Sequence, residues 1–266
     1  MKTENLVIMI TDIVGFTRRT SKQSRKENAD LLARHNSLLR PVIKSTGGKL
    51  VKAMGDAMLI VFSSPTDSLL CAMAMQDILF GYNRTVSKRK RIHIRIAVNI
   101  GEVRVVRSDI FGEPVNITSR IEGITPEDEI YFSDAVYLVM NKAEIPSAEV
   151  GFKPLKGIKE PVKIWQIPRF ATSRLVADDA PEPDDTDEIC FPYGGAHHII
   201  RNIEKKGLLK SFAKPAQPVM TWVILVMAVL LSVFIIWFVS QEPVQVEPIP
   251  PADTPIEVIE GATPED

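Results

Sequence analysis

Apolar and polar positions alternate in two different periods over the first two thirds of the chain. "LVIMI" (6–10) is apolar at every position, as expected of a strand covered on both faces. Residues 22–45 are mostly polar, with Leu31, Leu32, His35, Leu38, Leu39, Val42 and Ile43 at helical spacing, and "TGG" (46–48) closes that helix with glycine. "KLVKAMGDAMLIVF" (49–62) reads as two strands around a tight Gly55–Asp56 turn. Ser64, Pro65 and Asp67 supply an N-cap, an N1 proline and a first-turn acid for a helix to about Tyr82. "IHIRIAVNIGEVRVV" (92–106) alternates at period two, and its glycine predicts a hairpin bending at Gly101. A short helix follows Pro114. Strands are predicted at 129–132 and 162–167, with a helix from Ser133 to Met140 between them.

This order predicts an α+β fold. Its plan is a ferredoxin-like βαββαβ sheet with helices on one face, plus extra C-terminal strands. The folded part is expected to span residues 1–170. No internal repeat of fixed period is present.

The remainder changes the picture. Residues 171–198 are rich in Asp, Glu and Pro and are expected to be a disordered linker. Cys190, His197 and His198 lie together there. They are three potential metal ligands without a fourth, and such short mixed tracts usually form loops. Residues 199–214 read as a basic amphipathic segment suited to anionic lipid. Residues 219–240 hold 22 positions without a charge. At about 1.5 Å per residue they span the ~30 Å hydrocarbon core, so they are predicted to form a transmembrane helix. Trp222 and Trp237 near its ends fit interfacial aromatics. Arg201, Lys205, Lys206, Lys210 and Lys214 precede it and only acids follow. The positive-inside rule then places the folded part in the cytoplasm and the tail outside. That tail, 241–266, is acidic, Pro-rich and expected to be disordered. The N-terminus has no signal-peptide layout.

The formal net charge of −1 hides an uneven distribution. Residues 1–170 carry 26 Lys/Arg against 18 Asp/Glu, while 171–198 and 241–266 each carry seven acids. A basic folded part suits an anionic ligand better than an extended nucleic-acid footprint, so no nucleic-acid partner is expected. Two cysteines, Cys71 and Cys190, make no disulfide framework, and Cys71 reads as a small buried hydrophobe.

The candidate chemistry starts at Asp12, in "VIMITDIVGFTRRT". A carboxylate that ends a buried strand needs a charged partner or a metal. Gly15 lets the backbone approach a ligand, and the N–H groups around Phe16 and Thr17 form an anion nest. In the predicted sheet the first strand lies beside the 49–62 hairpin, so Asp56 can meet Asp12 at one sheet edge. Two converging carboxylates beside a phosphate nest suit Mg²⁺. Either acid alone could simply cap a turn. Lys52 projects from a strand, where it either snorkels or reaches an acceptor. In "SDIFGEPVNITSR", Asn116 and Arg120 share a helix face one turn apart, and Asp109 precedes that helix. An amide and a guanidinium aimed together suit an oxyanion that gains charge during reaction. "STGGK" (45–49) lacks P-loop spacing and reads as a turn. "NRT" (83–85) and "NIT" (116–118) fit the glycosylation pattern, but the inferred cytoplasmic side makes them chance matches. "KRKR" (88–91) reads as a solvated loop, and His35 and His93 as structural residues.

Taken together, "DIVGFT", "KAMGD", "DIFGEPVNITSR" and the closing "LKGIKEPVKIWQI" resemble class III nucleotidyl cyclases over residues 5–168. The resemblance implies that Asp12 and Asp56, helped by the Ile13 carbonyl, bind two Mg²⁺ or Mn²⁺ ions. It implies that Lys52 and Asp109 read the adenine edge of ATP, Asn116 orients the ribose and Arg120 stabilises the α-phosphate. Lys156, or else Lys159, would touch the terminal phosphates. Glu113 stands where the family more often has Asp, at a position without a catalytic role. The resemblance further implies a homodimer with shared sites: Asp12 and Asp56 from one subunit, Lys52, Asp109, Asn116 and Arg120 from the other. The expected protein is therefore a membrane-anchored adenylate cyclase that forms cyclic AMP and pyrophosphate. The alternatives are a catalytically silent dimerisation module of the same fold and a guanylate cyclase. A metal-dependent polymerase-like palm or a diguanylate cyclase is a third class, and the latter needs a glycine-glycine-acid turn that "AMGDAM" lacks.

Overall fold

In the computed structural model, the described residues are 2–169, 192–194, 199–201 and 203. The chain divides into two compact units, Met1–Ala213 and Lys214–Asp266. The second unit, and with it the predicted span 219–240 and tail, lies outside the described residues. No helix among the described residues is long and apolar enough to cross a membrane.

The elements run β1 (Lys2–Ile13), α1 (Phe16–Thr20), α2 (Arg25–Ser45), β2 (Lys49–Met54), β3 (Ala57–Phe62), α3 (Pro65–Thr85), β4 (Ile94–Val106), β5 (Asp109–Phe111), α4 (Glu113–Ile124), β6 (Ile130–Ser133), α5 (Asp134–Val139), β7 (Ala148–Lys153) and β8 (Val162–Gln166). The sheet order is β2-β3-β1-β4-β6-β8-β7, with β5 pairing β4. Its first four strands reproduce the predicted split plan. Every pairing is antiparallel except β4 with β6.

Local chemistry sets the helix boundaries. Ser24 caps α2 in a capping box with Glu27, satisfying two otherwise orphaned donors. Ser64 caps α3, and Pro65 fills its first turn, as the sequence predicted. Alternation along β1 divides the core. Val7 and Met9 face α2, α3 and α5 in the main cluster, and Ile8 and Ile10 face the other side with Leu59, Val103 and Ile110. All four are at most 5% exposed, which explains the unbroken apolar run. Cys71 is buried in α3, where burial pushes its thiol up to about 12.

Three expectations are corrected. Helices do not sit on one face only: α4 packs its Val115, Ile117 and Ile121 on the side opposite α2 and α3. Its apolar stripe was legible, but a stripe does not say which face of a sheet it covers. There is no hairpin at Gly101. β4 runs straight through, with Gly101 opposite Leu6, and reverses only at Arg107–Ser108. The glycine is there because Pro114 of α4 packs on it, and a Cβ would lie 2.5 Å from the proline Cγ. β7 was not anticipated. A bulge between Glu149 and Gly151 breaks the alternation that would have revealed it.

Candidate active site

The register of β1 explains how two distant acids meet. Thr11 pairs with Met58 of β3, so one step further Asp12 lies beside the turn that carries Asp56. Their carboxylates interact electrostatically. Burial, then the facing Asp12 carboxylate, pushes the Asp56 carboxyl up to about 6. Two carboxylates this close cannot both ionise cheaply without a cation.

Two further charged groups join them. β4 places Arg95 directly opposite Asp12, and Arg95 Nη2 donates to Asp12 Oδ2 at 2.8 Å. Arg95 Nε pairs with Glu122 of α4. The Glu122 carboxyl is also held above its usual range, by burial first and with Asp12 and Asp56 adding to it. The three carboxylates are mostly covered. Asp12 and Glu122 side chains are 17% and 14% exposed. One guanidinium thus faces three carboxylates, and the charge left over suits a divalent cation with oxygen ligands. Neither Arg95 nor Glu122 was singled out in the sequence.

The adjoining turn has the shape expected of it. Gly15 adopts φ 71° as the N-cap of α1, and its carbonyl accepts from the Arg19 N–H. A left-handed residue followed by the right-handed start of a helix turns successive N–H groups, those of Phe16 and Thr17, to one side. Ile13 itself is buried, so its contribution can only come from its backbone carbonyl.

The remaining candidates form a second group. Lys52 of β2 and Asp109 of β5 make an ion pair of 2.6 Å, partly exposed at 38% and 30%. The Lys52 ammonium holds the Asp109 carboxyl below its usual range, and Asp109 Oδ1 also accepts from the Ile110 N–H. Asn116 and Arg120 on α4 are both exposed. Arg120 and Glu122 are two residues apart, hence ~200° apart around the helix. With Glu122 turned toward Asp12, Arg120 points away from the Asp12–Asp56 pair of its own chain. The structure therefore joins Asp12 with Asp56, and Lys52 with Asp109, but does not bring Asn116 or Arg120 onto the acid pair. Lys156 and Lys159 are exposed in the loop after β7. His35 is buried, which pushes its imidazole down to about 4 and keeps it neutral. The "KRKR" loop is pinned by Arg19, which donates to the Arg89 and Arg91 carbonyls.

Comparison with known proteins bears on the family and the fold. The serine/threonine-protein kinase pkn2 of Myxococcus xanthus is 40% identical over 171 residues, covering 64% of this chain and 21% of that protein. Putative adenylate cyclase 3 of Rhizobium meliloti (strain 1021) is 31% identical over 159 residues, covering 59% of this chain and 27% of that protein. The chain thus matches only about a quarter of the length of these curated relatives. Among solved structures, an adenylate/guanylate cyclase/hydrolase from Silicibacter pomeroyi superposes with a TM-score of 0.56 at 28% identity, covering 62% of this chain and 97% of that one. The model described as "Adenylate and Guanylate cyclase catalytic domain" matches residues 1–169, the same stretch that builds the sheet and both polar groups. With acid pair, fold and family match in agreement, this chain belongs to the adenylate and guanylate cyclase catalytic domain family, the class III nucleotidyl cyclases.

Proposed function

We propose that the chain is a membrane-anchored adenylate cyclase, which converts ATP to 3′,5′-cyclic AMP and pyrophosphate as a homodimer with two shared sites. The observation that carries this reading is the Asp12–Asp56 pair beside the left-handed Gly15 turn that starts α1.

Asp12, Asp56 and the Ile13 carbonyl hold Mg²⁺ or Mn²⁺, two ions per site. Bound there, such ions lower the pKa of the ribose 3′-hydroxyl and screen the phosphate charge. The N–H groups of Phe16 and Thr17 at the Gly15 turn donate to phosphate oxygens. Arg95, shared in this structure between Asp12 and Glu122, lies within the same cluster and can donate to the triphosphate. From the second subunit, Asn116 orients the ribose. Arg120 stabilises the charge that develops as the 3′-oxygen bonds to the α-phosphorus and the bond to pyrophosphate breaks. Lys156 draws the terminal phosphates. Lys52 donates to a ring nitrogen and Asp109 accepts from the 6-amino group. Guanine presents a carbonyl there, which the Asp109 carboxylate repels. The exposure of Asn116 and Arg120, and the direction of Arg120 away from its own acid pair, support the shared site.

In this reading residues 1–170 are the catalytic domain, 171–198 a linker whose Tyr193 packs on that domain, 199–214 a basic juxtamembrane segment whose Ile199, Ile200 and Ile203 join the domain core, 219–240 the membrane span and 241–266 an external tail. The test is direct. Full-length protein in membranes is incubated with ATP or GTP and Mn²⁺ or Mg²⁺, and cyclic product is quantified. Cyclic AMP as the main product supports the reading. Cyclic GMP would overturn the Lys52–Asp109 assignment, and no product at all would favour a silent module.

A further inference from the structure

The family match ends at residue 169, yet the fold does not. Pro192 and Tyr193 are buried against the domain, and Ile199, Ile200 and Ile203 are helical and enter the main core cluster beside α2 and α3. Two polar anchors hold this strap. The Tyr193 N–H donates to Asp77 Oδ1 at 2.8 Å, and Asp77 is fully buried within α3. The Tyr193 hydroxyl donates to the Asp128 carbonyl at 2.7 Å.

Asp128 leads back to the active site. It sits at φ 61°, a left-handed conformation that Asp tolerates better than most residues. Its N–H donates to the Ile94 carbonyl at 3.0 Å, and Gln76 of α3 donates to that same carbonyl at 3.1 Å. His93 Nδ1 lies 2.9 Å from Asp128 Oδ2 and 3.1 Å from Glu127 Oε1. The hydrogen bond with Asp128 holds the imidazole above its usual range, and the three groups form one interacting cluster. The His93 carbonyl accepts from the Val14 N–H at 2.9 Å. That N–H and the Ile13 carbonyl belong to one planar trans peptide and point in opposite directions. Whatever fixes the Val14 N–H also aims the Ile13 carbonyl.

We propose that Tyr193 is a positioning residue for the cation-binding turn: its hydroxyl holds the Asp128 loop, and through His93 that loop orients the Ile13–Val14 peptide. The proposal rests on the reading of Asp12, Ile13 and Asp56 as cation ligands. It also makes the strap, beyond the family's own limit, part of the catalytic unit.

The test uses full-length protein and follows Mn²⁺ uptake by electron paramagnetic resonance without nucleotide, alongside the metal dependence of turnover. Tyr193→Phe keeps the ring and removes the hydroxyl. Its half-saturating Mn²⁺ concentration rises about fivefold, the loss of one hydrogen bond, while kcat at saturating metal and Tm stay near wild type. Asp77→Asn retains the acceptor for the Tyr193 N–H and titrates Mn²⁺ like wild type. Tyr193→Ala loosens the strap and shifts the titration further than Tyr193→Phe. A wild-type Mn²⁺ titration for Tyr193→Phe overturns the proposal. So does a joint loss of Tm and activity in that variant with unchanged half-saturation, which marks a merely structural tyrosine. If Mn²⁺ uptake by wild type matches that of Asp12→Ala, the cation reading itself has failed, and this inference falls with it.

Discussion

The two polar groups of the molecule are built differently. Around Asp12 the charges are covered, interlocked across β1, β4, α4 and the β2–β3 turn, and they perturb one another's protons. Around Lys52 and Asp109 the charges are partly exposed, and on α4 Asn116 and Arg120 are exposed, with Arg120 turned away from the acids. The first group is complete within one chain. The second has donors and acceptors but nothing of its own to act on. The difference teaches that a single fold can bring an acid cluster together while leaving the residues proposed to read the base and stabilise charge apart from it, as the proposed two-copy site requires.

The contrast can be broken at either end. The largest effect is expected at the covered group. Asp12→Ala or Asp56→Ala lowers cyclase activity at least about a thousandfold, comparable to the removal of a principal electrostatic stabiliser. Mn²⁺ uptake disappears with it. An activity loss with wild-type Mn²⁺ uptake would place the cation elsewhere.

At the exposed group the effect is one of choice rather than rate. Lys52→Glu combined with Asp109→Ser removes the pair proposed to read adenine and lowers the ATP-over-GTP ratio of kcat/KM by about a hundredfold, as expected when two specificity contacts are lost. Mn²⁺ uptake is unchanged, because neither side chain belongs to the acid cluster. An unaltered ratio would mean that the base is read by other residues.

The smallest effect concerns the scaffold beneath both groups. Burial pushes the Asp77 carboxyl up to about 7, against the lowering effect of the Tyr193 N–H. Between pH 4 and 7 the folded protein therefore holds a proton that the unfolded chain has released. The stability contributed by that proton is present at low pH and lost as pH rises toward 7. Asp77→Asn lacks this loss, so its Tm gains on wild type by a few degrees between pH 5 and pH 7.5. Parallel Tm curves would show that Asp77 does not titrate in this window.

What could be read in advance follows physical lines. Asp12 and Asp56 were legible because each interrupts a local pattern, one at the end of an apolar run and one in a Gly-Asp turn. The α2 and α3 boundaries were legible through helical spacing and the Ser64 cap. Arg95 was not, because a charged residue in an alternating strand looks like any solvent-facing position. Only the β1–β4 register puts it opposite Asp12. Glu122 was hidden by the same gap, since its role depends on the sheet face that α4 covers. Gly101 misled because a glycine kept for close packing and a glycine kept for a turn look alike in sequence. Tyr193 fell in a stretch whose acidic, Pro-rich composition suggests no fold, and its burial comes from contacts with α3 and the Asp128 loop far away in the chain.

The central claim is that the two groups act across two copies of the chain, and mixing inactive variants tests it most directly. Asp56→Ala and Arg120→Ala are each expected to be inactive alone. Mixed in equal amounts and allowed to exchange subunits, they form heterodimers in which one of the two sites has every group intact, so activity returns to about a quarter of wild type. If the mixture stays inactive while heterodimers are demonstrably present, the shared-site account is wrong.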